Sequence, residues 1–314
     1  MENRNFSQLL KARHELGLSV CVGLDSEYKK IPDCVRNAEV GFSRESLLLP
    51  FNKAIIDATK DLVCAYKPNV AFYESLSDGY GWPALSRTID YINTVAPDVP
   101  VILDAKRADI GNTNLGYVKA AFEHFKADAI TVHPYLGAEA LAPFLDNPDK
   151  GVFVLCRTSN PGAGELQDRR IIVDDEELLG NIDQYRDSCD RLDYFGIQGP
   201  YVMPQYLYLA YRVAKHWNKN GNCGLVVGAT YPGELRKVRD LVGDDMSILI
   251  PGIGAQGGDL EATVQAGQGE SGKGICLINS SRGIIFASPG EDFAEAARAE
   301  TEKLHNAINQ QRKG

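Results

Sequence analysis

The stretch "VILDAKRADIGNT", residues 101–113, decides how the chain is read. Val101, Ile102 and Leu103 form an apolar run suited to a buried strand. Directly after them come Asp104, Lys106, Arg107 and Asp109. Ionised groups are costly at the end of a buried strand unless something neutralises or uses them. A strand apolar on both faces that ends abruptly in charge fits a parallel strand whose C-terminal end opens into a site.

The same pattern recurs along the chain. "LSVCVGLD" (18–25), "LVCAYKPNV" (62–70), "VPVILDAK" (99–106), "DAITVHPY" (128–135), "GVFVLCRTS" (151–159), "CGLVVGAT" (223–230), "SILIPGIG" (247–254) and "GICLINSS" (274–281) read as eight buried strands. Amphipathic segments between them read as helices, among them 45–61, 114–127 and 292–308. Strands alternating with helices predict either a (β/α)8 TIM barrel or a doubly wound open sheet. The spacing is uneven: residues 161–222, between strands 5 and 6, read as an enlarged loop-plus-helix segment. No Pro/Ser-rich linker sets that segment off, so residues 1–314 are expected to form a single domain.

The 314 residues are 44% hydrophobic and 24% charged, ordinary for a globular chain, and carry a formal net charge of −9. That balance argues against a nucleic acid or an anionic membrane as partner, while leaving room for a small anion held by a few placed cations. The seven cysteines show no C-x-x-C pair and read as small buried hydrophobes of a reducing compartment. The N-terminal "MENRNFSQLL" lacks the apolar core of a signal peptide, and no run is long enough to span a membrane. A cytoplasmic location is expected.

In a barrel, chemistry gathers at the C-terminal strand ends. Here the first strand ends in Asp25, the second carries Lys67, and the third carries Asp104 and Lys106 with Asp109 just beyond. Asp104 and Lys106, two residues apart, are expected on one face of the strand, towards the barrel mouth. One such charge would be an ordinary ion pair, but four from three strands at the same end suggest a site. A carboxylate beside an ammonium keeps both charged, and a second carboxylate leaves negative charge to repel a bound anion. The lysine is a proton donor where charge develops. The cluster suits a reaction in which an anionic group leaves and a carbanion is protonated, such as decarboxylation. The Gly-rich "GIGAQGGD" after strand 7 and Arg282 after strand 8 suggest a phosphate site. The five histidines are scattered and no metal-ligand spacing is seen, so no metal is expected; His133 reads as structural.

These residues resemble a known family. "LDAKRADIGNT" is similar to the D-x-K-x-x-D-I-x-x-T signature of orotidine 5′-monophosphate decarboxylase, with Asp104, Lys106, Asp109, Ile110 and Thr113 in register. "VGLD" (22–25), "AYKPNVAFYE" (65–74), "TSNPG" (158–162) and "PGIGAQGGD" (251–259) extend the likeness over nearly the whole chain. The longer bacterial form, enlarged after strand 5, is the better match. "SSRGI" departs from the family's usual Gly-Arg pair, with Ser281 where Gly is common.

The resemblance implies a TIM barrel that converts orotidine 5′-monophosphate to uridine 5′-monophosphate and CO2 in pyrimidine synthesis. It implies no cofactor or metal, and a homodimer with shared active sites. By position, Asp104 would crowd the substrate carboxylate and Lys106 would protonate C6. Asp25 and Lys67 would hold the ribose hydroxyls and complete an Asp–Lys–Asp–Lys array. Asp109 and Thr113 would reach the partner subunit's site. Ser159, in preference to Thr158, would meet the pyrimidine edge, and Gln256 and Arg282 the phosphate. "GAQGGD" or part of 160–170 would close over the ligand. Two rivals stand beside this reading: a Mg²⁺-dependent sugar-phosphate decarboxylase or aldolase of the same superfamily, and a non-catalytic nucleotide-binding protein.

Overall fold

The computed structural model describes residues 4–38, 47–76, 79, 81–194, 197–253 and 258–312. Eleven strands occur among them: β1 (Val20–Leu24), β2 (Val63–Pro68), β3 (Ile102–Arg107), β4 (Ala129–Val132), β5 (Gly151–Arg157), β6 (Arg170–Ile172), β7 (Asp190–Tyr194), β8 (Ile197–Pro204), β9 (Cys223–Val227), β10 (Ser247–Pro251) and β11 (Cys276–Ser280). Eight of these fall on the eight expected runs, β3 ending one residue beyond its run at Arg107, and form one parallel sheet in the order β2-β1-β11-β10-β9-β5-β4-β3. Parallel bridges Tyr66–Val101 and Asn69–Asp104 join its two edges and close it into a barrel, which resolves the choice against an open sheet.

The barrel strands are apolar on both faces because each has two layers to fill. Inward-facing Cys21, Ala65, Ile102, Ala129, Phe153, Val226, Leu249 and Leu277 pack together inside. The outward faces pack under the helices in a larger core. The N-terminal helix Phe6–Glu15 lies across the lower end of the barrel and contributes Phe6 and Leu10 to the interior cluster. Phe6 meets Phe153 edge-on, with ring centroids 5.6 Å apart. This contact needs Gly151, where a Cβ would lie 2.3 Å from the Phe6 ring. The barrel is therefore sealed at one end, and its polar strand termini open at the other.

The segment 161–222 differs from the expected loop and helix. It holds a three-stranded antiparallel sheet in the order β6-β8-β7, besides the helix Gln205–Arg212. β6 has only three residues, β7 ("DRLDY") is interleaved with charge, and β8 is interrupted by Gly199 and Pro200, so none has the unbroken apolar signature of the barrel strands. Val173, Leu178, Met203, Tyr206 and Tyr211 from this segment join the same apolar core as the barrel. The helix expected at 114–127 is α-helical over Gly111–Val118 and π-helical over Lys119–His124. The other two expected helices occur as Leu48–Thr59 and Phe293–Arg312. No described helix is long and apolar enough to cross a membrane.

The seal makes a stability prediction. Gly151→Ala should cost about 1–3 kcal/mol through overpacking against Phe6. Chemical denaturation reads this directly, and unchanged stability would show that the ring can retreat freely.

Candidate active site

The polar strand ends surround a cavity of about 520 Å³ at the open end of the barrel. Asp25, Lys67, Asp104, Lys106, Ser159 and Arg282 line it, β1, β2, β3 and β5 or the loops after them contributing the first five and the chain just after β11 contributing Arg282. Its floor is split. Lys67, Asp104, Thr131 and Asn279 give one polar side, and Leu155, Val226 and Leu249 an apolar side. A flat polar ligand with one apolar face fits such a slot.

Asp104 is the centre of the polar side. Lys67 Nζ donates to its Oδ2 at 2.8 Å, and Lys106 Nζ donates to its Oδ1 at 2.6 Å. Thr131 Oγ1 also donates to Oδ1, at 2.8 Å. Burial alone would raise the Asp104 pKa, but the two ammoniums outweigh it and hold the carboxyl well below the usual carboxylate range. Lys67 is 4% exposed. Burial would lower its pKa, yet Asp104 and then Asp25 outweigh that and raise it. Lys106 differs, because its side chain is 49% exposed and reaches the open part of the cavity.

Asp104 and Lys106 do reach one cavity, but not by simple strand alternation. Leu103 pairs with Ile130 and Arg107 with Val132, so Asp104, Ala105 and Lys106 stand opposite Thr131 alone. β3 is bulged here, and Lys106 takes φ +47°, a left-handed conformation costly to a residue with a Cβ. The Lys106 N–H donates to Thr131 Oγ1 at 3.0 Å. Arg107, just past the bulge, turns away: its guanidinium pairs with Glu74 at 2.5 Å and lies over the Tyr117 ring. That is a structural role.

The remaining expected residues fall into three groups. Asp25 lines the cavity, and its buried Oδ1 has no hydrogen-bond partner among the described residues. The chain beyond it is braced by Ser26, whose hydroxyl donates to Asn52 at 2.6 Å. Ser159 and Arg282 also line the cavity, and Arg282 has no ion-pair partner among the described residues. Thr158 is already engaged: its N–H donates to Gln167 Oε1 at 2.8 Å, and its hydroxyl donates to Asn160 at 2.7 Å. Ser159 sits against Gly228, where a Cβ would come within 2.6 Å of it. Asp109 and Thr113 lie outside the cavity of their own chain. Asn114 holds the Asp109 backbone in place, accepting from its N–H at 2.9 Å and donating to its carbonyl at 2.6 Å. Gln256 lies outside the described residues.

Sequence reasoning missed Thr131, Gln167 and Asn279. Thr131 and Asn279 are the polar residues of "AITV" and "CLINS", inward positions near strand ends that would otherwise be apolar. That anomaly was a usable signal. Gln167 carried none, because its contact with Thr158 depends on how residues 159–167 fold back.

Comparison with known proteins agrees with this geometry. The family model "Orotidine 5′-phosphate decarboxylase / HUMPS family" matches residues 19–299. A protein of Azoarcus sp. (strain BH72) named orotidine 5′-phosphate decarboxylase is 46% identical over 92% of this chain and 93% of its own. The structure of Leishmania donovani OMP decarboxylase has a TM-score of 0.74 and 35% identity, and covers 99% of both chains. That of Leishmania donovani UMP synthase has a TM-score of 0.76 and 37% identity, and this chain spans 57% of its length. The eight-stranded barrel, the strand-end cluster and these likenesses together place the chain in the orotidine 5′-phosphate decarboxylase / HUMPS family.

Proposed function

We propose that this protein decarboxylates orotidine 5′-monophosphate to uridine 5′-monophosphate and CO2, serving pyrimidine synthesis in the cytoplasm. The observation that carries the reading is Asp104, a buried carboxylate bracketed by Lys67 and Lys106 at the floor of a cavity that has Arg282 at its rim.

The substrate phosphate lies at the rim, against Arg282 and the Gly252–Ile253 backbone. The ribose hydroxyls meet Asp25, whose Oδ1 lacks a partner, and Lys67. The Ser159 hydroxyl addresses the pyrimidine edge, since Thr158 is committed to Gln167 and Asn160. The substrate carboxylate then comes next to Asp104. Because the lysines keep Asp104 ionised, the two negative charges repel, and loss of CO2 relieves that repulsion. As the C6–carboxylate bond breaks, its electron pair stays on C6. Lys106 stabilises this developing charge and delivers its proton to C6, and the neutral amine recovers a proton from solvent. Phosphate and ribose contacts remote from C6 can supply the binding energy that holds the carboxylate against Asp104. No metal or cofactor enters the scheme.

We read the working unit as a homodimer with shared sites, in which Asp109 and Thr113 complete the partner's cavity. Ile110, Leu115, Tyr135 and Leu136 support this: they are exposed apolar side chains beside Asp109 and at the start of the neighbouring helix Gly137–Leu145. We also read the chain as one domain with 161–222 as an enlarged connection, which the shared apolar core supports.

Loss of orotidine 5′-monophosphate absorbance on incubation with the pure protein tests the activity. Turnover that is unchanged by EDTA is expected; no turnover between about pH 6 and 9, where Lys67 and Asp104 keep their charges, would overturn the reading. Lys106→Ala should remove nearly all turnover while the fold persists, and retained turnover would exclude Lys106 as the proton donor. Mixing Lys106→Ala with Asp109→Ala chains should regain activity in hybrid dimers, whereas inactive hybrids would show that Asp109 is not shared.

The charge state of Asp104 is separately measurable. With its folded pKa depressed, its contribution to stability is present above the unfolded value of about 3.9 and lost as pH falls through the folded value. Its ¹³C carboxyl resonance should therefore show no protonation step down to about pH 4. A midpoint above that would show that the lysines do not hold the carboxylate ionised.

A further inference from the structure

β3 does not present Asp104 and Lys106 at the cavity as an unbroken strand: it is bulged between Leu103 and Arg107, with Lys106 at φ +47°, and something must hold the break. We propose that Thr131 is a positioning residue for the proton donor, an inference that rests on the decarboxylase reading. Thr131 sits on β4 opposite the three bulged residues, buried to 1% exposure. A hydroxyl offers one donor and two acceptor sites. Here the donor goes to Asp104 Oδ1 at 2.8 Å, and one acceptor site takes the backbone N–H of Lys106 at 3.0 Å. Lys106 Nζ donates to that same Oδ1 at 2.6 Å.

These three bonds close a ring that holds Lys106 at both ends. Its main chain is tied to Thr131, its ammonium to Asp104, and Asp104 to Thr131. The ring matters because Lys106 is doubly mobile by nature. Its side chain is long and half exposed, and its left-handed backbone would relax if nothing opposed it. The Thr131 hydroxyl also replaces the ladder partner that the bulge removes from the Lys106 N–H. Leu155, Val226 and Leu249 on the strands that follow offer no polar atom that could take over. Thr131 acts through Asp104 and Lys106 rather than on the reacting carbon, and its effect is to keep the ammonium where C6 must be protonated.

Thr131→Val keeps the shape and removes the hydroxyl, while Thr131→Ser keeps the hydroxyl. Loss of a hydrogen bond to a buried charge should lower kcat about 10- to 100-fold in the valine variant. KM and the affinity for uridine 5′-monophosphate should stay within about threefold, because the remote contacts are untouched. The serine variant should recover most of kcat. A valine variant with wild-type kcat, or a serine variant as slow as the valine, would overturn the proposal. If the valine variant does not fold, Thr131→Ala against Thr131→Ser makes the same comparison. Amide hydrogen exchange of Lys106 gives a readout independent of the reaction: protected in wild type and serine variant, fast in the valine variant. Equal protection in all three would refute the ring even in a protein with no decarboxylase activity. A wild type inert towards orotidine 5′-monophosphate would instead remove the functional reading and leave the exchange result to stand alone.

Discussion

A carboxylate held between two ammoniums sets the terms for the rest of this structure. Asp104 is 7% exposed and would lose its charge there without help. Lys67 at 2.8 Å and Lys106 at 2.6 Å keep it ionised, and it keeps buried Lys67 charged in return. The three are interdependent: removing the carboxylate would leave Lys67 buried without its closest counter-charge. They differ in freedom, however. Lys67 is buried, whereas Lys106 is half exposed and has a hydrogen to give to a ligand.

The fold meets the demands of that triad. The barrel brings β2 and β3 side by side, closed by the Asn69–Asp104 bridge, so Lys67 and Asp104 meet from separate strands. Phe6 fills the other end, which leaves one opening. The bulge in β3 trades regular pairing for a lysine aimed at the cavity, and Thr131 on β4 takes up the hydrogen bonds the bulge leaves over. On the far side, Arg157 pairs with Asp168 of the enlarged segment at 2.7 Å and lies 4.3 Å from the Tyr231 ring. Its guanidinium also donates to the Thr158 carbonyl at 2.9 Å. The segment after β5 thereby helps fix the strand end that carries Ser159.

The barrel was legible because parallel strands buried on both faces leave uninterrupted apolar runs, and all eight runs hold a strand. The charged strand ends were legible for the converse reason: Asp104 and Lys106 have no place in such a run unless they serve a site. The antiparallel sheet of 161–222 was not legible, because β6 is only three residues long, β7 alternates with charge and β8 is broken by Gly199 and Pro200, which leaves little periodic signal. The bulge was equally hidden. Two residues apart on a strand implies a shared face, and the expectation that Asp104 and Lys106 share the cavity is met by a different backbone path. Thr131 could be noticed as a polar residue in an apolar strand, but its partners depend on register, which no local pattern specifies. The separation of Thr158 from Ser159 likewise required the Gln167 contact.

The proposed decarboxylation depends on Lys106 as the group that exchanges a proton with C6 of the ring. By microscopic reversibility, an enzyme that protonates a C6 carbanion should also remove the C6 hydrogen of the product, slowly. Uridine 5′-monophosphate deuterated at C6, incubated with the protein in H2O and followed by NMR, measures that step without decarboxylation. Wild-type protein should wash the deuterium out, and Lys106→Ala should leave it in place. Washout at the same rate in both proteins would contradict the account.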